Sequence, residues 1–307
     1  MRKYLLSLFF IVFINSFFSQ ALNGSYTIGG LNPDYTTLNA AAIDLNLNGI
    51  SGPVVFNIRP GIYIESFKIE NLTGSSLINT VTFQSETLDS TSVKIEHYGT
   101  VQIPDIINIE FSSHINIKNL TISRLGQSRG IKVWNYSTHN HFSNCVFEGD
   151  FSNSNKTAIL IDGAHLDSNS IKYNRFVNSE IKFIGGSSGN RASGLTIKDN
   201  KFEGGARDLI HLKYVENLTI ENNIINGYII NPLTLSYCGE NININNNKLH
   251  NYGYLASGIS IENSFGTINK PIKLFNNFIS SPSGCLHLQY SSFVEVIHNN
   301  FNAFQPN

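Results

Sequence analysis

Between residues 195 and 251 the chain repeats one arrangement of apolar and polar positions three times. Leu195-Thr-Ile-Lys-Asp-Asn-Lys-Phe-Glu-Gly204 is followed by Leu218-Thr-Ile-Glu-Asn-Asn-Ile-Ile-Asn-Gly227 and Ile242-Asn-Ile-Asn-Asn-Asn-Lys-Leu-His-Asn251. In each copy two apolar residues alternate with polar ones, an Asn stands three places on, and another apolar residue follows two places later. Period-two alternation predicts strands, and recurrence along the chain predicts a stack of equivalent units.

Aligned on Asn200, the copies fall at Leu120, Cys145, Asn174, Asn200, Asn223, Asn247, Asn277 and Asn299, in steps of 25, 29, 26, 23, 24, 30 and 22 residues. A step in the twenties fits one coil of three short strands joined by three turns. A hexapeptide helix would need a six-residue period, and a leucine-rich solenoid would bring Leu-x-x-Leu-x-Leu and helices; the sequence has neither. The predicted fold is therefore all-β, a right-handed parallel β-helix with coils over residues 53–303. Stacked coils place equivalent side chains about 4.8 Å apart. An inward Asn at each turn can donate to one copy of itself and accept from another, satisfying groups that are costly to bury alone. Asn174, Asn200, Asn223, Asn247, Asn277 and Asn299 are expected to form such a structural ladder, which Leu120 and Cys145 break at its N-terminal end.

Ahead of the coils, Leu38, Ala41, Ala42 and Leu45 keep helical spacing. Thr36 or Asp34 can cap this helix and Gly49 can close it, giving a short element over residues 34–49. A β-helix has an open end with bare strand edges, and this helix is placed to cover it. The last coil, Val294 to Phe301, has no evident cap, so a contact partner is possible there.

Composition adds a compartment. Arg2 and Lys3 precede an apolar run from Leu5 to Phe18, and Ser19-Gln20-Ala21 has small residues where a signal peptidase needs them. Residues 1–21 are read as a signal peptide and 22–307 as one secreted or cell-surface β-helix domain with no membrane span. Charged residues make up 14% of the chain and the net charge is −1, which leaves no basic footprint for nucleic acid. Cys145, Cys238 and Cys285 are an odd, dispersed set, read as small buried hydrophobes rather than a disulfide framework.

Tyr35-Thr-Thr-Leu-Asn-Ala-Ala and Gly52-Pro-Val-Val-Phe-Asn-Ile-Arg-Pro-Gly-Ile-Tyr-Ile-Glu65 resemble the N-terminal cap and first coil of the pectin-lyase-like superfamily. The Asn-Asn-x-Phe coils are similar to the right-handed β-helix repeat family, and Thr80-Val-Thr-Phe-Gln-Ser-Glu86 adds a likeness to secreted β-helix proteins of Bacteroidetes-type bacteria. The resemblance implies the fold and assigns Arg59, Tyr63 and Glu65 to cap-and-turn structure. It does not choose an activity, because the superfamily holds lyases, hydrolases, esterases, epimerases and non-enzymes. Gln-Asp and Asp-Phe-x-Phe-Gly, the esterase signatures, do not occur; neither do Asn-Thr-Asp, Gly-His-Gly and Arg-x-Lys of the polygalacturonases. The acids are scattered with no Asp-x-Asp pair for a hard cation, so no metal or other cofactor is expected.

A ligand face would be built from outward residues. In the strand that opens each coil, apolar pairs such as Ile181 and Phe183 point inward, and the residue between them points out. One outward column reads Asn108, Lys132, Leu160, Lys182, His211, Thr234, Ser260, His287. The next reads Glu110, Trp134, Asp162, Ile184, Lys213, Ser236, Glu262, Gln289. Two functions follow. A non-catalytic module would bind an extracellular polysaccharide or cell-surface glycan through Trp134, Asp162 and Lys132, or pack in a surface assembly. A metal-independent polysaccharide lyase would use Lys182, His211 and Lys213 to neutralise a uronate carboxylate and remove its α-proton. The missing signatures favour the module.

Overall fold

A computed structural model describes residues 20–102, 104–149, 156–204, 208–227, 231–253 and 257–304. Apart from its last two residues, the expected signal peptide lies outside them. The chain winds as a right-handed parallel β-helix whose coils visit an eleven-stranded, a ten-stranded and a nine-stranded sheet in turn. One coil runs through Leu218–Glu221, Ile224–Gly227 and Asn231–Ser236, each strand lying parallel to its counterpart in the next coil. The inward residues of all three sheets make one continuous apolar core. Within it Phe147, Phe176 and Phe202 stack face to face, with ring centroids 4.9 and 4.6 Å apart. Those separations are the strand spacing itself.

The Asn-Asn pairs that mark the repeat divide two tasks. The first residue takes the left-handed conformation, with φ of 55°, 56° and 54° at Asn222, Asn246 and Asn276. Asn tolerates that region because its side chain bonds locally. The second residue turns inward. At Asn200 the backbone N–H and Nδ2 both donate to Oδ1 of Asn223, and Nδ2 also donates to the Ile171 carbonyl. The same bonds link Asn174 through to Asn299. Cys145 joins the column by donating its N–H to Asn174 Oδ1. Two further polar columns occupy the other turn that enters the eleven-stranded sheet. Ser112 with Ser137 and Ser264 with Ser291 supply hydroxyls to backbone N–H groups, as do the side-chain oxygens of Asn140 and Asn169.

The helix α1, Leu38–Asn48, buries Leu38, Ala41, Ala42 and Leu45 over the first coil. Its cap differs from the expectation of Thr36 or Asp34: Thr37 accepts from the Ala40 N–H, while Asp34 accepts from Thr27. Glu65 provides a second cap, its two oxygens accepting from the N–H groups of Leu38 and Asn39 at 3.1 and 3.0 Å. Arg59 and Tyr63 bind carbonyls of the preceding segment, so these three residues join the cap to the first coil. The expectation omits a strand, Leu22–Ile28, which precedes the helix and pairs with Ile50–Ile58.

All three cysteines are free and buried. Burial pushes the Cys145 thiol up to about 12 and that of Cys238 to about 11, which keeps them protonated and inert. In the last coil, Leu288, Val296, Ile297 and Phe301 are exposed. No helix among the described residues is long and apolar enough to cross a membrane.

Candidate functional site

The nine-stranded sheet carries both outward columns. In the first, register pairs Lys68 with Asn108, Asn108 with Lys132, Lys132 with Leu160, Leu160 with Lys182, and Lys182 with His211. The column continues through Thr234, Ser260 and His287. Leu160, Thr234 and Ser260 are buried, so the accessible positions of the column are Lys68, Asn108, Lys132, Lys182, His211 and His287. Trp134, Asp162, Ile184 and Lys213 follow one another in the second column.

Side-chain contacts sort these cations into two groups. Three are neutralised in place. Lys68 lies 2.5 Å from Glu70 and 2.7 Å from Glu110, Arg129 holds Asp105 through Nε and Nη2, and Lys182 is 2.6 Å from Glu180. Glu180 is almost wholly buried and also accepts from the Thr157 hydroxyl. Lys132 and Lys213 rest on aromatic rings instead. Lys132 Nζ sits 3.8 Å from the Trp134 ring centroid, and Lys213 Nζ sits 4.9 and 5.4 Å from those of Tyr214 and Tyr237. Among the described residues neither forms an ion pair. An ammonium on a ring face is held by the quadrupole yet keeps its charge for an incoming anion.

Lys182 and His211 are therefore neighbours, but Lys213 leans away toward the tyrosines. Burial holds His211 below the ordinary histidine value; Asp208, 3.9 Å away, opposes this, while Lys182 and Lys213 add to it. Trp134 has one face under Lys132, and its indole N–H donates to Asn108 Oδ1 at 2.9 Å. Asp162 is exposed one coil on, able to accept from sugar hydroxyls. Two open hollows adjoin the column. One of about 470 Å³ is lined by Asn39, Lys68, Arg129 and Lys132; the other, of about 610 Å³, by Lys156, Leu160, Glu180 and Lys182. Among the described residues no group of three or more His, Cys, Asp or Glu is arranged to hold a metal ion.

Sequence reasoning missed Glu180, Tyr214 and Tyr237. The two tyrosines stand one place beyond the outward columns, where the backbone turns with φ of 55° and 54°. Their signal is an aromatic at the same turn of successive coils. Glu180 lies before its inward pair, and it reaches Thr157 only through a register shift between Thr157 and Ile159. Arg124 was also missed. It is 1% exposed, donates through Nη2 to the Asn178 carbonyl and Ser179 hydroxyl, and burial lowers its pKa to about 10 against the pull of Glu180.

The sequence profile of the right handed beta helix region matches residues 105–251 and 150–301. A search of curated proteins finds no match. Among solved structures, a GH136 lacto-N-biosidase from Eubacterium ramulus is 9% identical over 91% of this chain and 68% of its own, with a TM-score of 0.50. A pectin methylesterase from Aspergillus niger is 13% identical over 92% of this chain and 87% of its own, with a TM-score of 0.44. The pectate lyase Pel9A is 13% identical over 89% and 80%, with a TM-score of 0.48. Identities this low reach no further than the winding of the backbone. Its profile match and its three parallel sheets together place the chain in the right handed beta helix family.

Proposed function

We propose that this is a secreted, non-catalytic β-helix that lays an acidic polysaccharide along the outward face of the nine-stranded sheet. One observation carries the reading: Lys132 and Lys213, which form no ion pair among the described residues, are poised over aromatic rings. A cation beside an aromatic surface suits a uronate residue, which offers a carboxylate for the charge and C–H groups for the ring. Three coils separate the two stations, about 14 Å at strand spacing, so one glycan chain can reach both. Elimination asks for more, namely a cation and a base directed at the same sugar. Glu180 already offsets Lys182, and Lys213 is drawn to the tyrosines.

The lyase reading keeps one supporting observation. Burial favours the neutral, basic form of His211, which has Lys182 as its register partner. Purified protein incubated with polygalacturonate separates the two. The binding reading expects retardation of the protein in a polygalacturonate gel, none in neutral dextran, and no rise in ultraviolet absorbance from unsaturated products. A rise that disappears in both Lys182→Ala and His211→Ala would make the protein a lyase. Export is tested by N-terminal sequencing of secreted protein, with Leu22 expected first and an uncleaved Met1 contradicting it.

A further inference from the structure

A second cluster of protonatable groups lies on the outward face of the eleven-stranded sheet, away from the columns described above. His114 and His139 occupy equivalent turns of adjacent coils, both left-handed with φ of 62° and 55°, and their rings stack at 4.9 Å with 26° between planes. His141 follows in the strand His141–Ser143, pairs with Asn116 and Ser170, and shares a 2.6 Å hydrogen bond between Nδ1 and the Ser170 hydroxyl. In the next outward column Ser143 is flanked by Lys118 on one side and Lys172 on the other. Five groups that are or can become cationic thus span three consecutive coils.

The surroundings leave that charge uncompensated. Among the described residues neither Lys118 nor Lys172 forms an ion pair. The nearest acid along the turn column, Asp167, accepts the His139 N–H through its carbonyl, while its carboxylate accepts from the Ser193 N–H at 2.7 Å. Lys198, the next residue of the lysine column, is occupied by Glu221 at 2.7 Å. The adjoining strand Val81–Ser85 contributes Thr82 and Gln84, which carry no charge. The other side of the cluster is solvent: His141 is exposed and the remaining four are partly so.

We propose that this face is a separate site for acidic polysaccharide, held by Lys118 and Lys172 and strengthened when His114 and His141 take up protons. The chemistry recognised is an anionic group, sulfate or carboxylate, repeated along a flexible chain. A nucleic acid would call for a broader basic footprint than five side chains on a molecule of net charge −1. Partial desolvation against neighbouring side chains holds His114 and His141 below the ordinary histidine value, even though His141 keeps an exposed edge; His139 adds to this at His114 and Lys172 at His141. Protonating the cluster therefore packs like charges together at strand spacing, and a bound anion relieves the repulsion. Affinity must rise as pH falls, and binding must draw protons from solution.

The test measures binding of polygalacturonate and of dextran sulfate at about pH 7.5 and about pH 5.5, a range that brackets histidine titration. At least one polymer should bind about tenfold more tightly at the lower pH, one well-placed charge contact's worth. Response to dextran sulfate alone identifies the sulfate as the ligand group; response to polygalacturonate alone identifies the carboxylate. His114→Gln with His141→Gln should abolish the acid increment, with the melting temperature at the higher pH reporting that the variant is folded. Lys118→Ala with Lys172→Ala should weaken binding at both pH values. Lys132→Ala with Lys213→Ala should keep the acid increment whole, so failure of the nine-stranded face and failure of this one are separately visible. An increment that survives in the double-Gln variant overturns the proposal, as does displacement of the polysaccharide by a single-stranded oligonucleotide.

Discussion

At Asn223 one amide serves three neighbours. Its Oδ1 accepts from the backbone and side chain of Asn200, while Nδ2 donates to Asn247 and to the Ile197 carbonyl. Removing it orphans the buried N–H of Asn200, a loss of about 1–3 kcal/mol for each unsatisfied group. Asn223→Ala is expected to lower the unfolding free energy by about 2–3 kcal/mol in urea titration. Asn299→Ala, at the partly exposed end of the column, should cost less than about 1 kcal/mol because water can replace the amide. Equal losses at the two sites would contradict a buried ladder. The column was legible in the sequence because one side chain recurs at one turn. The partner of Lys182 was not, since an ion pair made before a register shift leaves no periodic trace.

The capping helix answers the exposed edge of the first coil, and its strength comes from burial and its two caps. Leu45, fully buried, should cost about 2–5 kcal/mol as Leu45→Ala. Glu65→Ala should cost about 1 kcal/mol by releasing two helix N–H groups. Amide exchange checks both, with Leu22–Ile28 and Ile50–Ile58 losing protection before the later coils. The helix was readable from its apolar spacing. The strand Leu22–Ile28 was not, because Gly24, Asn23 and Ser25 blur the alternation and only its pairing with Ile50–Ile58 makes it a strand. Choosing between Thr36 and Thr37 as the cap turns on backbone geometry at a single residue, beyond the resolution of spacing.

For the whole molecule, stacking of coils brings together side chains some two dozen residues apart, and both charged faces arise that way. His114, His141 and His211 are each held below the ordinary histidine value, chiefly by partial loss of hydration. Below about pH 6.5 the unfolded chain therefore binds protons that the folded chain resists, so stability falls as pH falls. The melting temperature should drop between about pH 7 and about pH 5, with His114→Gln, His141→Gln and His211→Gln each flattening the slope. A profile unchanged by all three would remove these histidines from the account.

Fold and outward columns were legible in the period-two alternation together with its recurrence every two dozen residues, whereas the pairing of each lysine with a carboxylate or a ring left no such pattern. That pairing moves attention from Lys182 to Lys132 and Lys213. The most direct test is titration calorimetry of polygalacturonate at about pH 7.5, above the usual range of histidine protonation, comparing the native chain with Lys132→Ala combined with Lys213→Ala. The double variant should lose about a hundredfold in affinity, two charge contacts of about 1.4 kcal/mol each, with the melting temperature unchanged. Native affinity in that double variant would contradict it.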